Sequence, residues 1–131
     1  MTLPAIKLVV LKAGDNYKSM SFNDLSAILL KSYESLRPNV LATLLAFEQE
    51  GLYCPTVSCD NKQQEIVLTY DSYVKEHSKR KFQIHFSNQI DIEYRYGGTL
   101  WIPTTLDGIK KRPNDVKGWF SNAVSSRNAT P

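Results

Sequence analysis

Between Lys81 and Tyr96 two alternations of apolar and polar residues meet across a short polar turn, and this pattern restricts the chain more than any other. Phe82, Ile84 and Phe86 alternate with Lys81, Gln83 and His85; after Ser87-Asn88-Gln89, Ile90, Ile92, Tyr94 and Tyr96 alternate with Asp91, Glu93 and Arg95. Strand side chains point to opposite faces with a period of two, so the pattern predicts a β-hairpin with one dry face and one solvent face. It constrains the fold strongly and the function hardly at all.

Two helical stripes supply material for the dry face. Ser21 is placed to cap a helix, Asp24 puts negative charge in its first turn, and Phe22, Leu25, Ile28, Leu29 and Leu36 recur at helical spacing. Pro38 interrupts that pattern, and a proline so deep in a helix removes a hydrogen bond and clashes with the preceding turn. We therefore expect a second helix with Pro38 in its first turn, running to about Glu50 and stopped by Gly51. Its apolar residues are Val40, Leu41, Leu44, Leu45 and Phe47.

Elsewhere the chain reads as extended. Ala5 to Leu11 is a short apolar run ended by the turn signal Ala13-Gly14-Asp15-Asn16, Tyr53 to Cys59 is extended, Asp60-Asn61-Lys62 turns, and Glu65 to Tyr73 is a strand. Gly97-Gly98 leads into a strand over Thr99 to Ile102, closed by Pro103, then a polar loop from Thr104 to Asn114. A last amphipathic segment, Asp115 to Val124, carries Val116, Trp119, Phe120 and Ala123. Helices followed by strands, rather than strict alternation, predict an α+β fold: a mainly antiparallel β-meander of about 4–5 strands with helices packed on one face. A chain of 131 residues fits a single domain, placed at residues 1–124, with a disordered tail over 125–131.

Composition narrows the class further. Hydrophobic residues at 42% and charged residues at 22% match a globular chain, and no apolar run reaches the ~18–20 residues that a membrane-spanning helix needs. Lys7 and Lys12 break the first apolar run, which lacks a leader and cleavage pattern, so the expected location is cytoplasmic. The net charge of +3 is uneven. Residues 1–74 hold six basic against eight acidic side chains, whereas residues 75–131 hold ten against five.

No chemistry stands out. Cys54 and Cys59 flank Pro55 at a spacing that suits no zinc pairing, and His77 and His85 are the only histidines, so neither metal nor cofactor is expected. Gly97-Gly98 is too short for a phosphate loop and precedes a strand. His85 lies across the predicted hairpin from Asp91 and Glu93, the one pairing that acid–base chemistry could use, but alternation places all three on the solvent face.

Over residues 38–124 the order of a helix, the PTVSCD segment, the IVLTY strand, a hairpin and a closing helix resembles small bacterial or phage accessory proteins. The resemblance assigns no residue a role. The leading expectation is a non-catalytic protein-interaction factor, of an accessory, immunity or inhibitor-like kind, which docks on a partner protein. The alternative is a nucleic-acid-associated protein using two basic loops, one with Lys75, Lys79, Arg80 and Lys81 and the other with Lys110, Lys111 and Arg112. Sheet edges, whichever strands form them, are a further candidate surface for either kind of partner.

Overall fold

The computed structural model describes residues 9–53, 55–71, 81–88, 91–97 and 100–120, with the side chain of Asp91 outside that description. Seven strands form one sheet: β1 Val9–Ala13, β2 Asn16–Met20, β3 Thr56–Asp60, β4 Glu65–Tyr70, β5 Phe82–Ser87, β6 Asp91–Tyr96 and β7 Ile102–Thr104. Their spatial order is β2-β1-β3-β4-β5-β6-β7. All neighbouring pairs are antiparallel except β1 and β3, which run parallel with Val10, Leu11 and Lys12 beside Thr56, Val57 and Ser58. Four helices complete the α+β fold: α1 Phe22–Ser32, α2 Arg37–Gln49, α3 Leu106–Lys110 and α4 over residues 113–120.

The sheet exceeds the expected four to five strands because β2 has no apolar alternation to announce it. Its sequence Asn-Tyr-Lys-Ser-Met is exposed at every position but Met20. What makes it a strand is the two-residue turn before it, where Gly14 takes φ +63° and Ala13 pairs with Asn16. Glycine first, with positive φ, is the requirement of a hairpin turn whose twist matches the flanking strands. At the other end, β7 is displaced from Thr99–Ile102 to Ile102–Thr104, with Pro103 inside it; an edge strand tolerates proline because one side of its ladder is empty.

The loop expected from Thr104 to Asn114 also holds α3, where the Thr105 hydroxyl accepts from the Gly108 amide and Ile109 is driven into the core. Helix α4 starts at Pro113, two residues before the expected start, as suits a residue without an N–H in a first turn. The expected disordered tail at 125–131 and the connection at 74–80 lie outside the described residues.

The helical half follows its sequence signals closely. Ser21 Oγ accepts from the Asp24 amide at 3.1 Å to start α1. The chain leaves the helix at Tyr33, and α2 begins at Arg37 with Pro38 in its first turn. Arg37 straps the two helices together, its Nη2 donating to Ser26 Oγ at 2.7 Å. Gly51, at φ +89°, ends α2: its amide donates to the Glu48 carbonyl and the Leu52 amide to that of Phe47, a Schellman closure that also buries Leu52.

One face of the sheet is dry and carries the helices. Val9, Val57, Ile66, Leu68, Tyr70, Phe82, Ile84, Phe86, Ile92 and Tyr94 are all buried, every second residue of their strands, against Leu25, Leu29, Val40, Leu44, Phe47, Ile109, Val116 and Phe120. An aromatic row ties the layers, with the Phe47 ring 4.8 Å from Tyr70 and 5.9 Å from Phe82, and Phe82 5.8 Å from Trp119. Each such side chain contributes roughly 1.5–3 kcal/mol by leaving water. The Tyr70 hydroxyl is the exception, buried without a hydrogen-bond partner among the described residues; burial, with the Glu48 carboxylate nearby, pushes its pKa far above the usual tyrosine range.

Candidate functional site

The face of the sheet away from the helices carries two polar rows across β4, β5 and β6. In one, Arg95 Nε donates to Gln83 Oε1 at 2.8 Å and Gln83 Nε2 to Thr69 Oγ1 at 3.3 Å. In the other, His85 lies between two carboxylates, its Nδ1 2.7 Å from Glu93 Oε1 and its Nε2 3.4 Å from Glu65 Oε1. Trp101, in the segment leading to β7, roofs both rows: its ring lies 5.5 Å from the imidazole and 4.3 Å from the Arg95 guanidinium carbon.

This arrangement corrects the expected solvation of the hairpin's outer face. The side chains of His85 and Glu93 are each only 12% exposed, because Trp101 and the neighbouring rows exclude water that alternation alone would admit. Glu93 is the carboxylate that meets His85, and Glu65, on the neighbouring strand β4, is the second. Chemically the group is a polar clamp across three strands, since each ring nitrogen faces a carboxylate.

Of the two basic loops the described residues include Lys81, Lys110, Lys111 and Arg112. Lys75, Lys79 and Arg80 lie outside the described residues. Lys81 sits 3.8 Å from Asp71. Arg112 is spent on structure, its guanidinium carbon 4.9 Å from the Tyr94 ring centre and its Nη1 3.1 Å from Asp115 Oδ2. Lys110 and Lys111 are exposed at the end of α3.

Of the two cysteines, Cys54 lies outside the described residues, and Cys59 sits half-buried on β3 beside Tyr33. Burial pushes the Cys59 thiol up to about 11, partly offset by its hydrogen bond with Tyr33. Burial, with Cys59 and Asp60 close by, pushes the Tyr33 phenol up to about 12. Tyr33 also bonds Asn61, so the pair fastens α1 to the β3–β4 turn and holds an unreactive thiol.

Two features fall outside the sequence expectations. Leu100 is 86% exposed and Ile102 47%, so an apolar run Leu100-Trp101-Ile102 lies on the surface at the β7 edge. Among the described residues the strand expected over Thr99 to Ile102 is found at Ile102–Thr104, and both large aliphatics stay in water. The opposite edge, β2, is polar and carries Tyr17 beneath the Lys12 ammonium at 5.6 Å. A shallow polar depression lined by Lys31, Ser32, Glu34, Ser35 and Gln64 lies beside the α1–α2 turn.

Among the described residues no helix is long and apolar enough to cross a membrane. Comparison with protein-family models, with curated proteins and with solved structures gave no match for this chain.

Proposed function

We propose that the chain is a non-catalytic interaction factor, accessory or inhibitor-like, that acts by docking on a partner protein. The observation that carries this reading is the exposed run Leu100-Trp101-Ile102. Two large aliphatic side chains held in water flank an indole that Arg95 and His85 fix in place. Tryptophan and arginine are the side chains in which interfaces concentrate their binding energy, and a pre-positioned ring loses little freedom on docking. An apolar cleft on a partner protein is the complement of such a run.

The test is affinity capture from native cell extract with and without nuclease, comparing the unaltered chain with a Leu100→Ser/Ile102→Ser variant. A second variant neutralises Lys79, Arg80, Lys81, Lys110, Lys111 and Arg112. A discrete protein that withstands nuclease and is lost on the apolar substitutions supports docking. Recovery of nucleic acid alone, lost on neutralisation and weakened steeply by salt, replaces it with the basic-loop reading.

A further inference from the structure

An edge strand displays unpaired N–H and C=O groups on its outer side, and proteins ordinarily obstruct them. At β7 the obstruction is visible, because the strand has three residues and Pro103 brings no N–H. At β2 no strand lies on the outer side among the described residues, and the five residues are ordinary L-residues with regular pairing on the inner side.

The pairing fixes which groups point outward. Ala13 and Asn16 close a two-residue turn, so they form a hydrogen-bonded pair, and bonded pairs recur at every second residue. Asn16, Lys18 and Met20 therefore direct their main-chain groups to β1, while Tyr17 and Ser19 direct theirs outward. The Val10 amide, opposite Ser19, is bonded to the Pro55 carbonyl on the other side, as this parity requires.

We infer that β2 pairs antiparallel with β2 of a second copy of this chain, about a two-fold axis at Tyr17, making one sheet continuous through a dimer. A two-fold strand pair must place some residue opposite its own copy, and the side chains decide which. Centred on Lys18, it would set two ammonium groups face to face at the closest kind of cross-strand position. Centred on Asn16 or Ser19, it would run off the strand into the turn or toward the Ser21 cap of α1.

Centred on Tyr17, the register uses the strand from end to end and opposes unlike groups throughout. Lys18 meets the carbonyl of the copy's Asn16, Ser19 meets the carboxylate of its Asp15, and the two Tyr17 main chains exchange both hydrogen bonds. A contact this small lies at or below the ~1,200 Å² of stable interfaces, so the dimer is a weak, reversible one. The inference is independent of the docking reading, which concerns the other edge.

The test joins solution mass with register. Sedimentation of the unaltered chain over a concentration series is expected to show reversible dimerisation, and Ser19→Pro, which removes an outward N–H and leaves the β1 ladder intact, to weaken it by roughly 10-fold or more. Under mild oxidant, an equal mixture of Lys18→Cys and Asn16→Cys chains forms a cross-linked dimer, since those positions face each other at ~4.5 Å between Cα atoms. Neither variant alone cross-links, its own copies being diagonal at ~7–8 Å; the unaltered chain under the same oxidant controls for Cys54 and Cys59. A monomeric mass at the highest concentration reached, dimerisation untouched by Ser19→Pro, or cross-linking as strong in the single-variant samples as in the mixture would each overturn it.

Discussion

The central strands β4, β5 and β6 present two faces held by different forces. Toward the helices, Ile66, Leu68, Phe82, Ile84, Phe86, Ile92 and Tyr94 form a close-packed apolar layer whose stability scales with area removed from water. Away from them, Thr69, Gln83 and Arg95 form one bonded row and Glu65, His85 and Glu93 another, roofed by a single indole. The dry face tolerates no missing volume, whereas the polar face tolerates no missing partner. The same three strands thus show that partial burial of charge needs a lid and complete pairing, while burial of carbon needs only fit.

The largest break in this comparison comes from the dry face. Phe82→Ala removes the ring that touches Phe47, Tyr94 and Trp119, and is expected to cost about 3–5 kcal/mol in urea unfolding. On the polar face, His85→Gln leaves Glu93 and Glu65 without the ring that both face and costs about 1–3 kcal/mol. A double-mutant cycle with Glu93→Gln, giving a coupling well above the ~0.2–1 kcal/mol of an exposed pair, separates a roofed clamp from a surface one. Tyr70→Phe sharpens the contrast in the other direction. It deletes the one unpartnered hydroxyl of the dry face and raises stability by about 1 kcal/mol, seen as a higher Tm.

The buried thiol on β3 makes stability depend on pH. The Cys59 thiol is raised by burial to about 11, so the unfolded chain loses this proton first as pH climbs. The fold is then favoured less between about 8.5 and 11, and Cys59→Ser flattens that part of the pH–stability curve. In a Cys54→Ser background, disulfide-exchange reagents at neutral pH should modify Cys59 more slowly than a free thiol, because burial holds the thiol protonated.

The sequence shows the dry face of the hairpin because Phe82, Ile84, Phe86, Ile92 and Tyr94 each stand between polar neighbours, whereas Val9, beside Val10, carries no such signal. Pro38, Gly51 and Ser21 likewise mark helix ends through their own backbone chemistry and are found where they were expected. Helix α3 is hidden, since Gly108 argues against a helix and only the Thr105 cap and Ile109 burial support one. Strand β2 is hidden because an edge strand needs no apolar pattern when main-chain pairing to β1 holds it.

The polar clamp is legible in half. His85 and Glu93 are neighbours within one hairpin, but Glu65 arrives through β4, whose register to β5 no local signal states. The exposure of Leu100 and Ile102 is a negative property, the absence of anything above them among the described residues, and local sequence carries no record of that.

The parallel pairing of β1 with β3 also shapes how the molecule assembles and opens. The meander from β3 to β6 is built of neighbours in sequence, whereas Val10 to Lys12 must find Thr56 to Ser58 across both long helices. Closing so long a loop is slow, so the β1–β2 hairpin is expected to dock late, which folding kinetics followed from within the hairpin check. Amide exchange at Val10, whose N–H bonds the Pro55 carbonyl across the β1–β3 pairing, then reports on docking of the hairpin rather than on global unfolding. Anything that holds β2 from outside draws its binding free energy down by the cost of keeping that hairpin seated.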